Sequence, residues 1–84
     1  MTLLIDAPLV PHRGRLWCHL VSDTSLAELH AFAARLDLPS HRFDVDHYDI
    51  AEEEQEQVLA AGALLVRPRD IVAALTAAGL RRRR

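Results

Sequence analysis

Residues 16–36 read Leu16-Trp17-Cys18-His19-Leu20-Val21-Ser22-Asp23-Thr24-Ser25-Leu26-Ala27-Glu28-Leu29-His30-Ala31-Phe32-Ala33-Ala34-Arg35-Leu36, a strand followed at once by a helix. Alternation sets Leu16, Cys18 and Leu20 against Trp17, His19 and Val21, the period of a strand whose two faces meet different surroundings. Ser25 followed by Glu28 is a capping box, in which each side chain satisfies an orphan backbone N–H at a helix start. Leu26, Leu29, Ala33 and Leu36 then recur at the spacing of one buried helical face, widened by Phe32. Asp37-Leu38-Pro39 ends the helix, because a residue before proline is pushed out of the α region.

Working outward, Leu3-Leu4-Ile5 is a short apolar strand stopped by Asp6-Ala7-Pro8, and residues 7–15, with Pro8, Pro11 and Gly14, read as a loop. Phe43 to Tyr48 alternates Phe43, Val45 and His47 against Asp44, Asp46 and Tyr48, a third strand. Asp49 is placed to cap a second helix, with Glu52 at its third position and Gly62 as its left-handed stop. Ala63 to Val66 is uniformly apolar and reads as a strand covered on both faces. The last helix opens near Asp70, turns Ile71, Val72, Leu75 and Ala78 inward, and ends at Gly79. The expected fold is therefore α/β: a small, mostly parallel sheet of about four strands with three helices, ordered β-loop-β-α-β-α-β-α. Residues 1–80 form a single domain, and Arg81–Arg84 are a basic tail expected to fray. Only the first connection leaves direction open, since nine extended residues span about 30 Å and can return parallel or antiparallel.

The 84 residues leave no room for a separate substrate domain. Ten arginines, no lysine and twelve acids give a net charge of −2, so no whole-protein basic field for nucleic acid exists. The charges are segregated: residues 43–56 carry seven acids and no base, whereas 67–84 carry six arginines against Asp70. Cys18 is alone, which excludes an intrachain disulfide and fits a reducing cytoplasm. No apolar run approaches the ~18 residues of a membrane span.

In an open parallel sheet, ligands bind beyond the carboxyl ends of the strands. Those ends are polar here: Asp6, Ser22-Asp23, Asp46-His47-Tyr48-Asp49 and Arg67-Pro68-Arg69. Asp46, His47 and Asp49, with Asp6, offer the carboxylate and imidazole ligands of a divalent metal. The alternatives are Asp49 as a helix cap, His47 and Tyr48 half-buried beside the sheet, and Asp46 paired with an arginine. His47, His19 and Asp23 are the candidate proton-handling groups, His19 with Asp23 forming an oriented base. Trp17, Ser22, His30, Tyr48, Arg67 and Arg69 are candidate ligand-binding residues; the arginines start a helix, where backbone N–H groups favour anions. An antiparallel first strand would carry Asp6 to the opposite end.

Together Leu4-Ile5-Asp6-Ala7-Pro8, Gly14-Arg15-Leu16-Trp17-Cys18-His19-Leu20-Val21-Ser22-Asp23, Leu29-His30-Ala31-Phe32-Ala33 and Asp46-His47-Tyr48-Asp49 resemble a bacterial family of uncharacterised proteins, DUF4031. The resemblance implies a polar site at Asp6, Trp17, His19, Ser22, Asp23, His30 and 46–49, and it brings no reaction with it. This chain departs from the family pattern at Ala7, Cys18 and Val45, where a second-position Pro, a Ser and a basic residue are usual. The resulting expectation is a ligand-binding or interaction module for a small polar molecule or a protein, including a second copy of the chain. The rivals are a metal-dependent hydrolase of a phosphoester-like substrate and a nucleic-acid role for the arginine tail.

Overall fold

A computed structural model describes residues 2–81. Six strands and three α-helices follow in the order β1 (Leu3–Ile5), β2 (Val10–His12), β3 (Arg15–Ser22), α1 (Leu26–Arg35), β4 (Phe43–Asp44), β5 (His47–Ala51), α2 (Gln55–Ala60), β6 (Leu64–Leu65) and α3 (Pro68–Ala77). The sheet runs β4-β5-β3-β1-β6, with β2 beside the start of β3. Every pairing is antiparallel except β1 with β6. The expected mostly parallel four-stranded sheet is thus overturned, and two tight turns are the reason.

The first turn lies in the segment read as a loop. Val10–His12 pairs with Trp17–Arg15, and the connection is Arg13-Gly14 with φ of 52° and 76°. Two consecutive positive φ values are the mark of a type I′ hairpin, whose twist suits antiparallel strands. Pro11 is tolerated because β2 pairs on one side only.

The second turn splits the expected strand 43–48. Asp44 pairs with His47, and Val45-Asp46 form the bend between β4 and β5. A crossover through α1 leads to β4, but the reversed strand β5 is the one that pairs with β3, antiparallel. Asp49 consequently lies inside β5 and caps no helix; Glu54 instead accepts from the Ala51 N–H at 3.0 Å, before α2. Val45 has φ of 57°, uncommon for a β-branched residue, and is 77% exposed. A Val45→Asn substitution, which removes this strain without opening a cavity, should stabilise the fold by about 1 kcal/mol in urea titration.

The element nearest its expected form is α1. Ser25 Oγ accepts from the Glu28 N–H at 3.1 Å. The Glu28 side chain, however, goes to the Ser22 hydroxyl rather than closing the box. Asp37, at φ of 56°, turns the chain out of the helix. The last strand is reduced to Leu64–Leu65, a sheet edge with both leucines exposed, not a strand covered on both faces. Short edge strands are one way to limit intermolecular pairing.

Register divides the side chains between two layers. Ile5, Cys18, Leu20, Tyr48 and Ile50 pack with Leu29, Phe32 and Ala33 of α1 and Val58 of α2. On the opposite face Leu4 and Val21 meet Ile71 and Leu75 of α3. Burial, with the charges of Asp6, Glu54 and Asp49 adding to it, pushes the Cys18 thiol up to about 12. That thiol is therefore protonated at neutral pH, and the thiol reagent DTNB should label it only after unfolding.

Candidate metal centre

The α3 helix covers only part of its sheet face. Along β3 the residues sharing that face are Trp17, His19 and Val21, because successive side chains alternate. The register then aligns Asp49 with His19 and Leu4 with Val21, and period two adds His47 on β5 and Asp6 just past β1. Val21 and Leu4 lie under α3, which leaves the two imidazoles and their carboxylates at its margin. The polar cluster thus sits on a sheet face, not on the rim beyond the strand ends.

Asp6 is 3% exposed and serves His19 twice. One oxygen accepts from the His19 backbone N–H at 2.7 Å, and the other faces Nδ1 at 3.1 Å. The hydrogen bond that Asp6 accepts from the ring raises the His19 pKa above its ordinary value against the opposing effect of burial. The Gln55 amide donates to the Asp6 carbonyl at 3.0 Å and steadies this strand end.

A matching pair stands alongside. Asp46, 2% exposed, places Oδ1 2.8 Å from His47 Nδ1. Arg81 grips the same carboxylate with Nε and Nη2, both at 2.8 Å, and these bonds hold Asp46 below the usual carboxylate range. The alternative reading of Asp46 as an arginine's partner thus describes its contact.

In both pairs the carboxylate faces Nδ1, the contact that in metal-binding histidines orients the ring and leaves Nε2 as the ligand nitrogen. The rings lie edge to face with centroids 5.0 Å apart, and His47 Nε2 is 3.3 Å from Asp49 Oδ1. One donor atom from each of His19, His47 and Asp49 falls within 4.8 Å of the others. Ligands of a tetrahedral zinc stand ~3.4 Å apart, so a small side-chain movement would close the set. A hollow of about 140 Å³ opens beside the imidazoles between Asp6, Pro68, Ile71, Val72 and Arg81.

A protein-family comparison matches residues 3–78 to the family described as "Protein of unknown function (DUF4031)". The chain belongs to the DUF4031 family. No curated protein and no solved structure matches it. The DUF4031 match takes in both Asp–His pairs and Asp49 and stops short of Arg81, so that contact comes from outside the matched span.

Of the sequence candidates, the DUF4031 fold brings together Asp6, Trp17, His19, Asp46, His47 and Asp49. The antiparallel first strand keeps Asp6 in the group, because its backbone N–H bonds the His19 carbonyl directly across the ladder. Asp23, just past the end of β3 and four residues from His19, so about 13 Å away, accepts from the Thr2 N–H at 2.8 Å instead. Ser22 is buried and accepts from the backbone N–H groups of Thr24 and Ser25, shaping the turn before α1. His30 and Tyr48 bond each other at 2.8 Å on the α1 side. Arg67 pairs with Asp70 beside a separate hollow, and Arg69 is exposed. The sequence reading grouped Arg81 with the tail and missed its contact; the one available signal was the charge segregation between 43–56 and 67–84. Arg82–Arg84 lie outside the described residues. Among the described residues, no helix is long and apolar enough to cross a membrane.

Proposed function

We propose that this chain binds one divalent transition-metal ion through His19 Nε2, His47 Nε2 and Asp49, with Asp6 and Asp46 orienting the imidazoles. The observation that carries this reading is the pair of carboxylate–imidazole contacts at Nδ1, together with one donor atom each from His19, His47 and Asp49 lying within 4.8 Å of one another. Two imidazoles and a carboxylate favour zinc, manganese or iron over magnesium, which prefers oxygen ligands. Three protein ligands would leave at least one position for water or substrate, the arrangement of catalytic rather than structural sites. Such an ion polarises a phosphoryl or carbonyl oxygen and lowers the pKa of its water, and the reaction class is therefore metal-assisted hydrolysis.

Isothermal titration of untagged, chelator-stripped protein with Zn²⁺, Mn²⁺ and Mg²⁺ tests the proposal. One equivalent of Zn²⁺ or Mn²⁺ should bind, and at about a hundredfold excess over Kd it should stabilise the fold by about 2.7 kcal/mol. Failure of all three ions to bind near unit stoichiometry removes it and leaves a polar pocket without an ion.

A further inference from the structure

His19 and Asp49 also border a second and larger space. A groove of about 600 Å³ runs from them past Trp17 and Arg42 to the β2–β3 hairpin, where Val10–Arg13 form its other wall, with His41 opposite. Its charged lining is Arg13 and Arg42 with the single carboxylate of Asp49. Arg13 stands at the exposed hairpin tip and has no carboxylate partner among the described residues. Arg42 is bound to Glu54, and its guanidinium carbon lies 5.2 Å from the Trp17 ring centroid. Trp17 itself is held by its Nε1–H, which donates to the His12 carbonyl at 2.9 Å. The groove therefore has a fixed aromatic wall, a free cationic tip and the two metal-facing donors in one continuous lining.

We propose that this groove binds a phosphate ester carrying a planar ring, a nucleoside monophosphate, with its phosphate toward His19–Asp49 and its base against Trp17. The inference rests on the metal reading, since the ion would supply the charge nearest the phosphate. Three features carry it. Trp17 and His19 are two residues apart on one strand face, ~7 Å, a spacing that lets one mononucleotide touch both. Aromatic walls accept any base through its π face. The volume lies within the usual range for small-molecule sites of roughly 300–1,000 Å³.

Trp17 is the sole tryptophan, so its fluorescence reports occupancy directly. Zinc-loaded protein is titrated with AMP, adenosine and inorganic phosphate, and zinc content is measured on the same sample. AMP should bind at least about tenfold more tightly than either fragment, because it alone reaches both Trp17 and the His19–Asp49 end. By calorimetry, Trp17→Leu should weaken AMP about tenfold and leave inorganic phosphate unchanged. Zinc bound at one equivalent with AMP no tighter than phosphate overturns this inference and spares the metal site. Absence of bound zinc overturns both. A zinc-loaded Trp17→Leu protein that binds AMP like the parent also overturns the assignment.

Discussion

Replacing His19 or His47 by alanine is expected to lower zinc affinity by about two to three decades. Structural zinc sites supply roughly 10–16 kcal/mol through four ligands, so one ligand accounts for about 2.5–4 kcal/mol. Asp6→Asn probes the supporting layer. It keeps an oxygen for the His19 backbone N–H but removes the negative charge that holds the Nδ1 proton and raises ring basicity. Losing such a partner costs about 10–100-fold in metal affinity. His30→Ala is the control, because that imidazole lies across the sheet against Phe43 and Tyr48. Calorimetric titration of the four variants at constant pH measures all of these effects. If His30→Ala weakens binding as much as His19→Ala does, the zinc is held by histidines at large and the centre is misplaced.

The largest stability effect is expected from Arg81→Ala. Asp46 is nearly inaccessible to water, and removal of the guanidinium leaves its charge facing only His47. Breaking a buried ion pair from one side commonly costs about 3–5 kcal/mol. The Arg81 side chain is 36% exposed, so water can replace part of the contact, and roughly 2–3 kcal/mol is expected. For a domain of this size that lowers Tm by roughly 10–20 °C. The sign with pH follows from the direction of the shift. Arg81 depresses the Asp46 pKa in the folded protein, so this stabilisation is complete above the unfolded carboxyl value of ~3.9 and disappears as pH falls through the folded one. Urea titrations of parent and variant at pH 7 and pH 3 should show a gap that narrows in acid. A gap of equal size at both values would mean that Arg81 acts through packing and not through charge.

The same contact explains what local sequence could and could not reveal about the site. Asp46-His47-Tyr48-Asp49 stood out as the densest polar run, and three of its members are in the cluster. Their division of labour was hidden, because the run straddles a hairpin: Asp46 is in the bend, His47 and Asp49 point to one face of β5, and Tyr48 to the other. Read as a strand end followed by a helix cap, the same four residues had no reason to separate. His19 is legible as a member of the Trp17–Val21 face, but the local sequence offers Asp23, its near neighbour, as the partner. The partner is Asp6, thirteen residues upstream and directly across the β1–β3 ladder.

The fold divides along similar lines. Helix α1, with Ser25 at its start and its Leu29–Phe32–Ala33 face, and the alternation of β3 were fully contained in stretches of a few residues. Capping bonds and helical or strand periods act over three or four positions, so one sequence carries them without help from the rest of the chain. Strand direction does not have that property. It turned on Arg13-Gly14 and Val45-Asp46, where Arg13, Gly14 and Val45 adopt positive φ: at Gly14 the residue type suits that conformation, while Arg13 and Val45 disguise it. Val45 above all reads as strand, and only the pairing of β5 with β3 across some thirty residues of chain holds it in a turn. The amino-acid order thus determined which side chains could do chemistry and which helix packs beneath them. Tertiary pairing decided that two imidazoles and a carboxylate share one face, because hydrogen-bond register between distant strands is a property of the whole sheet and of no single segment.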